Sequence, residues 1–353
     1  MLGSCIAALI VCWAFVVGAA EADYFSNRSS LPELSGFLDE KTNGAFARAI
    51  KYANSESSTP CKQSELNFQL LSELGGLGSS LVEYWPSDEG GAPKPKIEDS
   101  IYAGLKITPE KPTDWVRGLL DQVIERAKDV ACCASLFRIG SHVVSADKLG
   151  HFFQTGFEML SMTEKAMGGD RELLPEHSEG RKMRGQVEMI AAITGRIAAP
   201  QGRDQVSRES YVFDLSHAQE NGRVGLTLTG VKSYADIAAN YEGYRFWENL
   251  YSGPRPYFAC ENQKWKQLRP FTWTDFASDA WDEGINCNEY SSQIRETVES
   301  RIAALPGGAC PVTSSRCVAL VRRYATVADR TLHPSCRGAD GRAPTASPAR
   351  SNH

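Results

Sequence analysis

Apolar residues recur every three or four positions over long stretches of this chain, and this spacing places them on one face of an α-helix. The pattern is clearest at about 114–134, where Thr113 is suited to cap the N-terminus of the helix. Three further helices are predicted at about 145–167, 233–251 and 289–304. Most of the ordered chain is therefore expected to be helical.

One segment carries a β signal instead. Asn221-Gly222 lies between the β-prone runs 211–215 and 224–228, which predicts a hairpin with a loop longer than two residues. Near the C-terminal end, Thr272-x-x-Asp275 resembles a capping box and predicts a short helix that Gly284 ends. We expect a mainly α globular fold with one small β-hairpin, stabilised by disulfide bonds.

The N-terminus predicts export. An apolar run at residues 6–17 is followed by the small-x-small tripeptide Ala20-Glu21-Ala22, so residues 1–22 are predicted to be a signal peptide and the mature chain is expected to start near Asp23. No Lys or Arg precedes the run. A retained membrane anchor is the alternative, because the run approaches the ~20 residues that span a bilayer. No later stretch is long and apolar enough to cross a membrane, so a multispanning protein is not expected.

The predicted export determines how the cysteines are interpreted. Removing the signal leaves eight, at positions 61, 132, 133, 260, 287, 310, 317 and 336, and an even number in an exported chain indicates disulfides rather than metal ligands. Spacing favours two pairs, Cys310 with Cys317 and Cys260 with Cys287. The adjacent cysteines at 132 and 133 are then expected to reach to those at 61 and 336.

Composition narrows the class of protein. A formal net charge of −5 leaves no general basic footprint, which argues against nucleic acid as the main partner. We expect the following organisation along the chain: a signal peptide at 1–22, an N-terminal region at 23–112 with a loose loop at 86–112, a helical core domain at 113–336 with a hairpin-bearing insertion at 168–230, and a disordered tail at 337–353.

Candidate chemistry is concentrated on the helix predicted at 145–167. Placing its residues at ~100° steps separates an apolar side from a polar side. The polar side carries Asp147, His151, Gln154 and Glu158, and Lys148 lies in the same turn as the first two. One interpretation is the solvated face of an amphipathic helix. The other is a site in which Asp147 orients the imidazole of His151 as a general base or metal ligand.

The helix predicted at 233–251 adds two polar residues. Asp236 and Asn240 share the face that Trp247 would bury, and buried polar groups need partners. Gly243 on that face would let another helix approach closely. The best partners in the chain are Lys148 and His151, which predicts contact between the two helices. A structural cap, or an ion pair to a neighbouring Arg, is the alternative.

A third group lies between Trp265 and Tyr290. Three acids, at positions 275, 279 and 282, share a face of the predicted short helix, with Trp273 and Trp281 nearby. Acids beside tryptophans can bind sugars or a hard cation. The alternative is that the tryptophans belong to the core and that the acids are solvated.

One motif carries a resemblance. Asp147-Lys148-x-x-His151-Phe152 is similar to the Asp-Lys-x-x-His-Phe motif of small bacterial envelope proteins, including the YfiM-type periplasmic lipoproteins and VanZ-like proteins. It covers six residues. The resemblance implies a bacterial cell-envelope setting and attention to Asp147, Lys148 and His151, but no reaction. The VanZ-like proteins are multispanning, which this chain is not.

Two functions are consistent with these residues. The first is an envelope hydrolase in which His151, oriented by Asp147, is general base or metal ligand, and Asp236 and Asn240 complete the pocket. Lys148 and Glu158 are further candidate catalytic residues. The second is a non-catalytic structural or binding protein in which the same residues lock two helices together. No P-loop, dinucleotide fingerprint, Gly-x-Ser-x-Gly or HExxH motif supports another mechanism. The sequence names no cofactor, and an envelope glycan or lipid is the expected kind of partner.

Overall fold

A computed structural model describes residues 30–56, 59–76, 80–94, 96, 100–105, 134–193, 207–222, 225–226, 229–305, 310 and 314–336, without the side chains of 56, 189–193 and 314. The predicted signal peptide, the helix predicted at 114–134 and the predicted tail lie outside these residues. Within them the fold is mainly helical, as expected.

The helices of the described residues follow one another along most of the chain. They are α1 (Ser35–Glu56), α2 (Gln63–Leu74), α3 (Leu81–Asp88), α4 (Asp147–Gly150), α5 (Gly156–Ala166), α6 (Ser178–Ile193), α7 (Arg208–Asn221), α8 (Tyr234–Glu248), α9 (Arg295–Ala303), α10 (Ser314–Tyr324) and α11 (Ala328–Thr331). A π-helical segment, His151–Thr155, joins α4 to α5 and makes one continuous helix of the two. Single 3₁₀ turns lie at Trp273–Asp275, Asp279–Trp281, Ala325–Val327 and Pro334–Cys336.

Short antiparallel strand pairs punctuate the helices. The strands are β1 (Leu136–Ile139), β2 (His142–Ser145), β3 (Val231–Lys232), β4 (Phe258–Glu261), β5 (Lys264–Gln267) and β6 (Glu289–Tyr290). β1 pairs with β2 and β4 with β5 as hairpins, while β3 pairs with the distant β6. The expectation of a single hairpin was therefore wrong, since the described residues contain two.

The hairpin predicted around Asn221-Gly222 was also wrong. Residues 208–221 form α7, and Ser207 caps this helix by accepting a hydrogen bond from the backbone N–H of Ser210. Tyr211, Val212 and Phe213 are buried in the core. Their β-propensity is overridden because helical packing buries their side chains equally well. The asparagine and glycine mark the C-terminal end of a helix instead of a turn between strands.

The predicted disulfide pairs were wrong, although the prediction of disulfide stabilisation was right. Three bonds are present among the described cysteines: Cys61–Cys260, Cys287–Cys310 and Cys317–Cys336. Spacing misled because tertiary contacts choose the partners: Cys260 bonds to a cysteine 199 residues away, while Cys287 and Cys317 bond to cysteines 23 and 19 residues away. The cysteines at 132 and 133 lie outside the described residues, but their predicted partners are already bonded elsewhere.

The helix expected from a capping box at Thr272 is reduced to a single turn. Thr272 makes no capping hydrogen bond, and the backbone N–H of Trp273 donates to Asp39 Oδ1 on α1 instead. The predicted helix at 289–304 is likewise shorter, because its first residues form β6. Tertiary contacts decide both boundaries.

One hydrophobic core joins the N-terminal helices to the rest. Phe46 of α1 packs against Phe153, Phe246, Phe258 and Phe271. This core therefore joins α1, from the region predicted as 23–112, to the helices that carry the candidate residues. A smaller core surrounds β3, β6 and α9. No helix among the described residues has both the length and the apolar character needed to span a bilayer.

The central contact is the crossing of α8 with the helix that begins at Asp147. A Cβ on Gly243 would lie 1.9 Å from the carbonyl oxygen of Phe152, and one on Gly156 would lie 2.5 Å from the carbonyl carbon of Gly243. Only glycine at both positions lets the backbones come this close. The close approach predicted for Gly243 is confirmed, and it holds together the two helices that carry the candidate residues.

Candidate functional site

Lys148 lies at the centre of a buried cluster of charges. Its side chain is fully buried, and Nζ lies 2.8 Å from Asp147 Oδ2, 2.6 Å from Asp236 Oδ1 and 2.8 Å from Glu283 Oε1. An ammonium group out of water needs such partners, because an unpaired buried charge is very costly. The three carboxylates come from three separate parts of the chain, so Lys148 ties the fold together at this point.

His151 lies one turn further along the same helix and contacts α8 through both ring nitrogens. Nδ1 lies 2.9 Å from Asn240 Oδ1, and Nε2 lies 3.3 Å from Asp236 Oδ2. The predicted contact between the two helices is confirmed by these distances. Asn240 and Asp236 orient the imidazole, so the prediction that Asp147 orients it was wrong.

Local sequence at the start of α8 positions Asp236. Ser233 caps the helix, and its side-chain oxygen accepts a hydrogen bond from the Asp236 backbone N–H at 3.1 Å. Asp236 thus stands in the first turn, where the helix dipole favours negative charge. Burial alone would raise the pKa of Asp236, but the charges of His151 and Lys148 outweigh it and hold that pKa below its ordinary value.

The π-helical segment sets the position of His151, which is its first residue. Such segments are rare, occur as single turns inside α-helices and are frequently found at functional sites. In this helix the wider turn presents carbonyl groups to α8: the Trp247 indole N–H donates to the Phe153 carbonyl oxygen at 2.8 Å. A regular helix would rotate the residues after 151 relative to α8, so the segment couples the apolar packing to the orientation of the imidazole.

Further carboxyl groups surround the cluster. Burial raises the pKa of Glu283, partly offset by Lys148, and raises the pKa values of Glu220 and Glu83 well above the ordinary range. The negative charge of Asp236 raises that of Glu220 further, and Asp147 does the same for Glu83. Five carboxyl groups of the described residues therefore interact with Lys148. Three of them, Glu83, Glu220 and Glu283, hold their protons more strongly than an ordinary carboxyl group does.

Glycine makes room for one of them. A Cβ on Gly150 would lie 1.7 Å from Glu83 Oε1, so a larger residue there would displace the carboxyl group that α3 brings against this helix. Glu220 is fixed from the other side, where it accepts a hydrogen bond from the backbone N–H of Ser233 at 3.1 Å. The sequence offered no signal for Glu83, Glu220 or Glu283, because each is isolated in the chain from the residues it meets.

The interpretation of a solvated polar face was wrong. Asp147, Gln154 and Glu158 are all buried, because α8 and the N-terminal helices cover this side of the helix as well. His151 differs from its neighbours in the cluster, since 19% of its side chain is exposed against 5% for Asp236. The buried cluster therefore reaches solvent at the imidazole.

Glu158 is not brought into direct contact with the cluster in the described part of the chain. It lies two turns beyond His151 on the same helix, and burial raises its pKa to about 8. Among the described residues no charged neighbour offsets that burial. Glu158 is therefore a second, separate buried carboxyl group whose proton is held into the neutral range.

The tryptophan-rich block belongs to the core. Trp273 and Trp281 are fully buried, and the Trp273 indole N–H donates to Thr42 Oγ1 at 3.0 Å. Asp279 pairs with His142 at 2.6 Å, and Asp282 is buried and accepts a hydrogen bond from the Gly284 N–H. The acids and the tryptophans therefore do not form a common sugar-binding surface. The alternative that the tryptophans belong to the core is confirmed, but its expectation that the acids are solvated was wrong for Asp282.

Three residues of the main cluster could hold a metal ion. One ligand atom each from Asp147, His151 and Asp236 lies within 4.8 Å of the others. Asp147 Oδ1 is buried and receives no hydrogen bond from any described residue.

Comparison of the chain with protein-family models, with curated proteins and with solved structures gives no match. Function has to be inferred from this geometry.

Proposed function

We propose that the protein is an exported hydrolase of the bacterial cell envelope and that His151 and Asp236 activate its water. The observation that supports this most directly is the partial exposure of His151, whose two ring nitrogens are nevertheless fixed by Asn240 and Asp236. A buried, oriented pair that reaches solvent at one point is the arrangement expected of a hydrolytic centre. Disulfide bonds are typical of exported proteins.

The chemistry follows from the 3.3 Å separation of His151 Nε2 and Asp236 Oδ2. This is longer than the 2.7–2.9 Å typical of a charge-assisted hydrogen bond, so both atoms can face one water molecule. One proton of that water passes to the pair while its oxygen bonds to the electrophilic carbon or phosphorus of the substrate. The bond to the leaving group breaks, and the proton returns to the leaving group.

The test is a hydrolysis screen on the purified oxidised protein. Chromogenic acyl esters, phosphoesters and glycosides cover the bond types, and peptidoglycan fragments and phospholipid vesicles cover the expected envelope substrates, with products identified by mass spectrometry. His151→Ala should lower turnover by about 10²–10⁴-fold, the usual contribution of a positioned acid–base group.

A matched control is available within the same chain. His142 forms a second His–carboxylate pair, with Asp279, and 31% of its side chain is exposed. His142→Ala should leave turnover unchanged. Absence of turnover on every substrate class by the wild-type protein, or equal rates for wild type and His151→Ala, would overturn the hydrolase proposal.

The complete burial of Lys148 among three carboxylates supports a second candidate, a structural lock between helices without catalysis. Unfolding in urea separates the two. If His151 is part of a lock, His151→Ala should cost about 2–4 kcal/mol, because Asp236 and Asn240 lose a partner. If it belongs to a working site, stability should change little. Asp236→Ala should destabilise in either case and serves as the reference.

A further inference from the structure

The three ligand atoms of Asp147, His151 and Asp236 are arranged as a cation would require. Ligands about 2.0–2.1 Å from a tetrahedral metal lie about 3.3 Å from one another, which is the distance observed between His151 Nε2 and Asp236 Oδ2. The third ligand atom, from Asp147, lies within 4.8 Å of both. From the 4.8 Å limit, a carboxylate movement of about 1.5 Å would bring the third ligand atom to about 3.3 Å from the others and close the set around one ion.

The hydrogen bond to Asn240 fixes which nitrogen can bind. Asn240 Nδ2 donates to Ser216 Oγ at 2.9 Å, so Oδ1 of the same amide faces His151 and accepts from its Nδ1–H. Whenever Nδ1 carries the only ring proton, Nε2 therefore presents a lone pair to Asp236. The lone pairs of His151 Nε2 and Asp236 Oδ2, 3.3 Å apart, repel each other, and a proton or a metal ion between the two atoms makes their proximity favourable.

Asp147 and the local charge favour the metal ion. Asp147 Oδ1 is buried without a hydrogen-bond donor among the described residues, although its other oxygen is held by Lys148. Lys148 likewise holds Asp236 Oδ1 and leaves Oδ2 towards the imidazole. The lysine thus orients both carboxylates, and the two carboxylates outnumber the single ammonium group that holds them.

We infer that Asp147, His151 and Asp236 form a binding site for one divalent transition-metal ion of the Zn²⁺ or Mn²⁺ kind. One imidazole and two carboxylates combine the ligands preferred by zinc with those preferred by manganese, whereas magnesium and calcium sites are built from oxygens. His151 is the most exposed of the three ligands, with 19% of its side chain accessible against 4% for Asp147 and 5% for Asp236, so water or substrate would reach the ion from the side of the imidazole. Only the catalytic consequence of this inference rests on the proposed function.

The hydrogen bond from Nδ1 to Asn240 has the form found behind metal-binding histidines. Such histidines donate their other ring N–H to an oxygen acceptor, which fixes the tautomer and the orientation of the ring. Asn240 is in turn fixed by Ser216 on α7. We therefore expect Asn240 to act as a positioning residue for the metal ligand and Ser216 to support it.

The first experiment uses the wild-type protein alone, so that no variant has to fold. The full oxidised chain is stripped with a chelator and titrated with Zn²⁺ or Mn²⁺ by isothermal calorimetry, and the zinc form is analysed by X-ray absorption at the zinc edge. We expect one ion per chain at neutral pH, coordinated by one imidazole with the remaining ligands oxygen. No binding of either metal, a sulfur-containing shell or a shell with several imidazoles would overturn the inference.

The second experiment locates the ion. Asp147→Asn, His151→Gln and Asp236→Asn should each weaken binding more than about 100-fold, and Asn240→Ala about 10–100-fold, the usual effect of losing the partner of a ligand. Asp279→Asn, in the other His–carboxylate pair, should bind as wild type does. Circular dichroism confirms that each variant is folded. Unchanged affinity in all three ligand variants would place the ion elsewhere and overturn the inference.

The readouts distinguish this inference from the proposed function. Metal binding that is lost in His151→Gln, without turnover on any substrate, would support the site and reject the hydrolase. Turnover that persists in the metal-free protein and depends on His151 would support the hydrolase and show that its chemistry needs no metal. If calorimetry then also detects no metal binding, the metal-site inference is overturned.

Discussion

Replacing Gly243 with alanine should separate the two helices on which the candidate site is built. The added Cβ would lie 1.9 Å from the Phe152 carbonyl oxygen, and this atom cannot rotate away because it belongs to the backbone. Ordinary contact begins near 3.4 Å, so the helices must move apart by about 1.5 Å at this point. His151 and Asn240 lie within one turn of the crossing and move with it.

The magnitude follows from what that movement breaks. The contact between His151 Nδ1 and Asn240 Oδ1, now 2.9 Å, would exceed hydrogen-bond length, as would the contact between Trp247 Nε1 and the Phe153 carbonyl oxygen, now 2.8 Å. Overpacking costs about 1–3 kcal/mol, and each lost hydrogen bond costs about 1 kcal/mol. We expect Gly243→Ala to lower the free energy of unfolding by about 3–5 kcal/mol.

Urea unfolding monitored by tryptophan fluorescence measures this loss. Gly185→Ala is the matched control, because Gly185 is also inside a helix but its Cβ would meet nothing within 4 Å. Alanine there should stabilise the protein by up to about 1 kcal/mol through the lower entropy of the unfolded chain. Equal stability of Gly243→Ala and wild type would refute the described helix crossing, and with it the geometry of the site.

Two further predictions concern Glu158 and the disulfides. Burial raises the pKa of Glu158 from 4.5 to about 8, so the folded protein keeps a proton that the unfolded chain releases, and stability should fall as the pH rises between these values. Glu158→Gln should therefore gain up to about 5 kcal/mol over wild type at pH 8.5 and little at pH 4, and parallel urea midpoints across pH would contradict this. Replacing Cys61 and Cys260 with serine should cost about 2 kcal/mol more than replacing Cys317 and Cys336, because the first bond closes a separation of 199 residues and the second one of 19. Thermal unfolding of the two double variants measures both losses of stability. A larger loss on removal of Cys317 and Cys336 would contradict the prediction.

The helices that carry the site could be predicted because apolar residues recur along them at helical spacing. Asp236 and Asn240 share a face with Trp247, and this alone required polar partners from elsewhere in the fold. His151 was the best candidate in the chain, and the distances confirm the contact. Burial arguments succeed for this pair of helices because an unpaired polar group is penalised wherever it lies.

The remainder of the cluster could not be predicted from local pattern. Glu283 is separated from Lys148 by 135 residues, and nothing in its neighbourhood marks it as a partner. The polar side of the helix at 145–167 looked solvated because periodicity reports polarity and not what covers it. The same limit explains α7, whose β-prone residues are buried by a helix that tertiary contacts stabilise.

The charge of the cluster bears on the choice between lock and site. One carboxylate is sufficient to pair a lysine and join two helices, yet Lys148 contacts three, and Glu83 and Glu220 add two more within reach of its field. Each additional buried carboxyl group costs desolvation, and the raised pKa values of Glu83, Glu220 and Glu283 show that protonation offsets part of this cost. A lock needs only one carboxylate opposite Lys148, whereas a cation-binding centre needs at least the two carboxylates that Asp147 and Asp236 supply beside the imidazole. The second carboxylate therefore favours a site over a lock, and the exposed edge of His151 is where a cation and its substrate would enter.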